Sequence, residues 1–426
     1  MSPCFRRWIA AAVMCAFTWH SPAFAEPPVS ENPGPSMSED QLFERWLRSS
    51  AEVAALRAQI GSARFDVITA ELLPNPELMV GGALLAAGVP PDGQSGVQAQ
   101  LSMPLSVFGQ LPARRRAAEA QVSVAEMGVL AALWERASDL QSAMVEAAFA
   151  DARVTMLDKN LDELARLRRI VETRTQAGAN SSYDVLRVTT SETTVRAATR
   201  TAITDRTQAE SRLLALMAEP TLARVHVTRE GLATFRGPAD EASLVKLALE
   251  RRPDLELARR NVVASTRSAE RWRKEALPAP SVFAGAYAVQ GPYGLQVTAG
   301  VTVPLPIFDR NQGKVGRALS EAHASELMGD ALTARIKTEV QGAWRAREAA
   351  RIALLEYREA AVPAAVEMLR RAEVSYQAMK FSIADLFDAY RTMWDARSQE
   401  LELERQMAVA EANLERAAVL VPLGRR

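Results

Sequence analysis

Leu101-Ser102-Met103-Pro104-Leu105-Ser106-Val107-Phe108-Gly109-Gln110 has a near twin about 200 residues further on, Val301-Thr302-Val303-Pro304-Leu305-Pro306-Ile307-Phe308-Asp309-Arg310. Each copy ends an alternating apolar–polar run with Pro-Leu and a Phe, then opens a very long stretch of helical composition. A duplicated strand-to-helix junction decides the fold, and the remaining sequence is read outward from it.

Upstream of the first copy, Val97, Ala99, Leu101 and Met103 alternate with Gln98, Gln100 and Ser102, the pattern of a half-buried strand. The turn-rich Gly88-Val89-Pro90-Pro91-Asp92-Gly93 separates it from a first strand expected from Glu77 to about Ala86, with weaker alternation. Before that, Ser38 with Gln41 forms a capping box, and a single helix is expected from there to about Leu73, stopped by Pro74 and Pro76. Downstream, only Gly128 interrupts the stretch from Pro112 to Gly178, roughly 65 residues and about 100 Å of helix. Leu157, Leu161, Leu164 and Val171 keep coiled-coil spacing. Gly178-Ala179-Asn180 reverses the chain, and Ser181-x-x-Asp184 caps a return helix ending near Met217.

The same units then recur. A helical region from Glu241 to Ala276 carries Arg252-Pro253-Asp254, with proline at a first-turn position. Leu277-Pro278-Ala279-Pro280 matches Leu73-Pro74-Asn75-Pro76, and strands are expected at about 281–289 and 295–303 around Gly291-Pro292-Tyr293-Gly294. A very long helix from about Gln312 to Met379 follows, and Ser382-x-x-Asp385 caps a return helix ending near Val421. Equivalent landmarks lie 200 to 204 positions apart, the mark of a duplication. The expected organisation is a signal (1–25), a Pro-rich leader (26–37), a first repeat (38–219), an inter-repeat segment (220–240), a second repeat (241–421) and a short tail (422–426).

The N-terminus reads as an export signal: Arg6 and Arg7, an apolar run from Ile9 to about Phe17, and the small-residue site Ala23-Phe24-Ala25. Both cysteines, Cys4 and Cys15, fall inside it, so the mature chain has no disulfide or thiolate metal site. Met14 stands where a lipoprotein site wants a small residue, against acylation at Cys15. A chain with 48% hydrophobic and 24% charged residues and zero formal net charge is neither disordered nor a basic nucleic-acid binder. No later run is long and apolar enough for a membrane helix.

Each short helix is about half a long one, so the entering and returning helices can stack end to end beside it, with the strands at one end. Ten-residue strands cross a bilayer at a tilt, with one apolar and one polar face. Four cannot close a barrel and lipid does not tolerate open edges, so chains must pool strands; three chains give about twelve, with room for a channel. A soluble coiled-coil protein with solvent-facing hairpins would leave both the export signal and the apolar strand faces unexplained.

On its duplicated hairpins, proline corners, Arg252-Pro253-Asp254-Leu255 and Ser382-x-x-Asp385-Leu386-Phe387-Asp388, the mature chain resembles the TolC family of outer-membrane channels. Val303-Pro304-Leu305-Pro306-Ile307-Phe308-Asp309-Arg310-Asn311-Gln312-Gly313 is most similar to its CzcC-like heavy-metal branch. The resemblance implies a mainly helical fold: a homotrimer with four strands per chain in a shared twelve-stranded transmembrane barrel in outer-membrane lipid, above a periplasmic coiled-coil tunnel. It further implies a passive exit duct, without enzymatic activity or cofactor, docked through its tip to a periplasmic adaptor and an inner-membrane proton-driven pump of the RND type. Heavy-metal cations are the expected cargo; drugs or secreted proteins, or a periplasmic adaptor role for the chain itself, are the alternatives.

No catalytic motif is present. His226 and His323 have no partner at metal spacing and read as surface residues. The resemblance places Asp385 and Asp388 at a constricted periplasmic aperture, where a trimer would gather six carboxylates; ordinary capping competes as an explanation for Asp385 more than for Asp388. The first repeat departs, with Asp184 followed by Arg187, an arrangement that can close the tip through an ion pair. Gly178, Ser181, Leu186, Ser382 and Leu386 lie at the tips as adaptor-contact candidates, with turn or core roles as the alternative. Arg114, Arg115 and Arg116 open a long helix and read as a solvated face, or as partners of headgroups or acidic neighbours.

Overall fold

The two copies of the junction end two strands of one sheet, with a third strand between them. In the computed structural model, which describes residues 36–84, 95–176, 181–232, 234–235, 237–289 and 294–421, β1 (Glu77–Leu84), β2 (Ser95–Pro104), β3 (Ser281–Val289) and β4 (Leu295–Thr302) form one antiparallel sheet in sequence order. The predicted signal, the leader up to residue 35, the loop Gly88–Gly93, the reversal Gly178-Ala179-Asn180 and the tail lie outside the described residues.

Register explains the weak alternation of the first strand. Leu78, Val80 and Gly82 oppose Leu101, Ala99 and Val97, and these in turn oppose Ala284, Ala286 and Ala288, which oppose Ala299, Val297 and Leu295. One face of the sheet is therefore apolar across all four strands. The other carries Glu77, Gln98, Gln100, Ser102, Gln296, Thr298 and Thr302, with Phe283 and Tyr287 lying over glycines. Those glycines are required: a Cβ on Gly300 would stand 2.8 Å from the Phe283 ring, and one on Gly96 2.6 Å from the Tyr287 hydroxyl. Val297, at the middle of the apolar face, is 79% exposed, and neither edge strand has a partner among the described residues.

The helices run away from one end of this sheet. α3 (Gln110–Gln176) is a single helix of 67 residues, about 100 Å long. Beside it lie α2 (Ala51–Glu71) and α4 (Ser182–Met217). The stacking expected from their lengths is direct: the Ala51 amide donates to the Ala218 carbonyl (3.1 Å), and Arg45 forms a two-pronged ion pair with Glu219 (2.7 Å). Leu42, Trp46, Leu140, Met144, Leu213 and Met217 are fully buried around this joint.

The entering helix is not the single segment its sequence implied. It divides at Ser50, whose extended backbone separates α1 (Glu39–Ser49) from α2. The Ser49-Ser50 pair offers the backbone local alternatives to helix. The break lets Leu42, Phe43 and Trp46 turn into the joint instead of following the rod. The second repeat breaks at the matching place, between α5 (Glu241–Arg251) and α6 (Pro253–Glu275).

The second long helix also departs from expectation. α7 (Gln312–Glu356) passes through a wider turn over Tyr357–Ala361 before α8 (Val362–Gln377). Pro363 is the cause: it has no N–H to give, and its ring crowds the carbonyl four residues back, at Glu359 inside the widened turn. α9 (Ile383–Ala417) returns along α7, α8 and α3. At the far end Leu164, Leu167, Val171, Val188, Tyr376, Leu386 and Trp394 pack together, so the two hairpin tips share one core.

The inter-repeat segment is tied in at the joint. Val225 and Val227 are buried, and the Met37 amide donates to the His226 carbonyl (3.1 Å). His226 is thus no simple surface residue: its ring is largely covered, 3.8 Å from an Asp151 oxygen and 3.6 Å from a Glu210 oxygen. His323 is exposed beside Glu326.

Candidate functional site

The tips are built by two copies of one capping device. Ser181 opens α4, and its amide donates to Asp184 Oδ2 (3.1 Å). Ser382 opens α9: its amide (2.9 Å) and hydroxyl (2.6 Å) both donate to Asp385 Oδ2, and the Asp385 amide donates to Ser382 Oγ (3.2 Å). The Ser382 hydroxyl, and after it the Ser382 amide, hold the Asp385 carboxyl below the usual carboxylate range. A depressed pKa means that the cap stabilises the helix start above the ordinary carboxylate pKa and is lost as pH falls through the lower, folded value.

Asp385 is therefore a cap and an exposed negative charge at once. Asp388, one turn on and on the same face, is exposed, and its carboxylate has no hydrogen bond or ion pair among the described residues. Capping accounts for the first aspartate and not for the second.

Arg187 does not pair with Asp184. Its guanidinium lies 5.0 Å from the centre of the Phe387 ring, bridging the two tips by a cation–π contact. Among the described residues no ion pair joins Arg187 to Asp184, whose carboxylate accepts from the Ser181 amide while Arg187 lies over Phe387. Leu386, at 3% exposure, belongs to the shared core, the alternative given for it above. Leu186 is exposed, Ser181 and Ser382 are exposed caps, and Gly178 lies outside the described residues.

The tips hold further side chains that sequence reasoning passed over. Tyr183, Phe381 and Met379 are exposed, and Met379 adopts φ 57°, the left-handed conformation. Met379 stands 201 positions after Gly178, so the repeat places methionine where its first copy has the turn glycine. Superposing the repeats would have shown it. Behind the surface, Glu163 accepts from Trp394 Nε1 (2.6 Å) and Arg397 Nη1 (2.9 Å), while Tyr390 donates to Glu373 (2.7 Å) and burial pushes its phenol upward.

Among the described residues no helix is long and apolar enough to cross a membrane, and no group of three or more histidine, cysteine or carboxylate residues is placed to hold a metal ion. An open-edged sheet with one wholly apolar face, continuing into helical hairpins far longer than a globular core accommodates, defines a barrel-and-tunnel channel subunit. The model of the outer membrane efflux protein family matches residues 42–219 and 244–418, one match per repeat, and the chain belongs to that family.

Among curated proteins the chain is 25% identical over 383 residues to the cobalt-zinc-cadmium resistance protein CzcC of Cupriavidus metallidurans, covering 86% of each chain. It is 26% identical over 378 residues to nodulation protein T of Rhizobium leguminosarum bv. viciae, covering 86% of this chain and 75% of that protein. A crystal structure of the channel CusC superposes with a TM-score of 0.72 at 18% identity, over 89% of this chain and 92% of that one. The protein is thus an outer-membrane efflux channel of TolC-like fold, with its helical tunnel in the periplasm, and a passive conduit, not an enzyme. Channels of this family work with an adaptor and an inner-membrane pump. Membership sets aside the adaptor alternative.

Proposed function

We propose that three copies of this chain form the exit duct of a heavy-metal efflux system, taking heavy-metal cations from an inner-membrane RND-type pump and its adaptor. Trimerisation pools four strands per copy into a closed barrel, with the apolar faces toward lipid and the glutamine- and threonine-bearing faces toward the lumen. The two repeats, 38–219 and 241–421, each supply one hairpin to the barrel wall and one to the tunnel.

The observation that carries the cation assignment is Asp388, exposed and with its carboxylate unpartnered among the described residues, one turn beyond Asp385. Repeated three times, the pair makes a ring of six carboxylates, which concentrates cations at a constriction. The absence of a tight metal cluster among the described residues is compatible with a duct, since firm binding would slow release. Likeness to CzcC supports the same cargo.

Growth of a deletion strain across zinc, cobalt, cadmium, nickel, copper and silver, beside dyes, detergents and antibiotics, tests the assignment. Selective sensitivity to metals, restored by the native gene and not by the Asp385→Ala/Asp388→Ala variant, is expected. Sensitivity to organic compounds alone would retain the duct and discard the metals.

The lipid-facing assignment has its own test. Val297→Arg puts a charge on the apolar face, and the yield of heat-modifiable trimers in outer-membrane fractions is expected to fall severalfold. Gln296→Arg, one residue away on the opposite face, leaves the yield near that of the native chain. Equal yields would show that this face does not meet hydrocarbon.

A further inference from the structure

At the foot of the sheet the chain changes character. The two junction loops expose Val107, Phe108, Leu305, Ile307 and Phe308, the last 90% exposed. The first loop is fixed to the start of β3, where the Leu105 amide donates to the Pro280 carbonyl (2.7 Å), and the second to α6, where the Asn311 side-chain amide donates to the Trp272 carbonyl (3.4 Å). Trp272 is half-buried, with the Arg271 guanidinium 4.6 Å and the Lys314 ammonium 4.4 Å from its ring.

The charge in this band is not balanced, although the whole chain is neutral. Residues 71–77, 104–119, 271–280 and 304–321 carry nine Lys and Arg against six Asp and Glu. Arg114 and Arg271 share Glu275, Arg115 lies between Glu71 and Glu119, and Arg317 pairs with Glu321. Arg114 and Arg115 are thus explained by acidic neighbours. Arg116, Arg273, Lys274, Arg310 and Lys314 are all exposed and have no carboxylate partner among the described residues. Arg116 and Arg310 each spend one N–H on the carbonyl four residues back, leaving the outer edge of the guanidinium free.

We propose, on the footing of the lipid-facing sheet assigned above, that these five cations form a collar that binds anionic phospholipid headgroups at the periplasmic surface of the outer membrane. Exposed apolar side chains lie directly below the strands and unpaired cations directly beyond them, the order in which a phospholipid presents acyl chain and phosphate. Long Lys and Arg stems lie along apolar surface while their heads reach the phosphates, and Trp272 sits at the boundary as interfacial tryptophans do. Three copies triple the surplus charge around one ring, and each cation near an anionic surface favours binding roughly five-fold. A protein partner at this level would have to displace the lipid surface itself, and the positive surplus selects anionic over zwitterionic headgroups.

The purified full-length trimer, titrated with phosphatidylglycerol or phosphatidylethanolamine and read by native mass spectrometry, tests the collar. The native chain is expected to bind phosphatidylglycerol about ten-fold or more in preference. Arg116→Gln with Arg273→Gln, Lys274→Gln, Arg310→Gln and Lys314→Gln is expected to lose that preference. A control in which Arg57, Arg200, Arg212, Lys337 and Arg345 become Gln removes the same charge from the helical tunnel and is expected to keep it. If the quintuple variant does not assemble, the pair Arg310→Gln/Lys314→Gln serves, with a partial loss expected. Equal binding of both lipids by the native chain, or equal loss in the control, overturns the collar. Channel formation in bilayers of either lipid separates this from the parent assignment: channels without lipid preference defeat the collar alone, and no channels in any lipid defeat the duct.

Discussion

Replacing Arg252 by alanine is expected to destabilise the chain by about 2–3 kcal/mol: the arginine is buried, while the carboxylates it leaves behind, 27% and 32% exposed, keep part of their hydration. Arg252 is only 5% exposed. It joins three elements: its Nε and Nη2 go to the two Asp254 oxygens (3.1 and 2.7 Å), its Nη1 to Glu339 on α7 (2.7 Å), and its plane lies 4.9 Å from the Trp134 ring on α3. Lysine cannot reproduce a fork with two carboxylates and a stacked face, so Arg252→Lys is expected to recover little. The triple variant Arg252→Met/Asp254→Asn/Glu339→Gln keeps the stem and removes the orphaned carboxylates, and should recover most of the loss. The readouts are trimer abundance in the outer membrane and the temperature at which trimers dissociate in detergent, compared at one heating rate because the process is irreversible. A native-like Arg252→Ala variant would mean that the network contributes no more than a surface ion pair.

The Arg252 network also shows where the sequence is legible and where it stops. Arg252-Pro253-Asp254 announces a helix start, because proline at the first helical position and an acid beside it have local causes. That the arginine reaches α7 and α3 is a tertiary fact with no local mark. The same division runs through the chain. Alternating strands, proline corners and both Ser-x-x-Asp caps follow from period and spacing, and the register of β1 against β2 only sharpened a pattern already present. Ser50 gives a weak local signal, and the break there is decided by where Trp46 and Leu42 can be buried. Pro363 is a strong local signal for a break in the second long helix, since its ring and missing N–H act on the preceding turn. At the site, Asp385 and Asp388 were visible as a spaced pair, while the burial of Leu386 and the seat of Arg187 on Phe387 depend on how the second hairpin packs against the first.

The tip aspartates give the sharpest functional expectation, and the caps show how to separate charge from structure. In planar bilayers Asp385→Ala/Asp388→Ala is expected to bring cation selectivity close to neutral and to weaken block by multivalent cations on the order of 100-fold, since six carboxylates vanish from one ring. Asp388→Asn removes charge from a side chain that holds nothing in place, so it should reproduce much of this effect with trimer stability unchanged. Ser382→Ala does the reverse: it removes the hydroxyl that caps α9 and leaves both carboxylates, so stability falls by about 1 kcal/mol while selectivity persists. Lowering pH distinguishes the two aspartates further. The Ser382 hydrogen bonds keep Asp385 ionised below the ordinary carboxylate range, so in Asp388→Asn channels the residual block should survive acidification through that range and vanish only below it. In Ser382→Ala/Asp388→Asn channels, where those bonds are gone, the residual block should disappear at a higher pH. Arg187 sits beside this ring, held on Phe387, and Arg187→Gln is expected to raise cation selectivity by removing a competing charge. If Asp388→Asn leaves both selectivity and block unchanged, the ring does not stand at the constriction, and the second aspartate needs another explanation than the passage of cations.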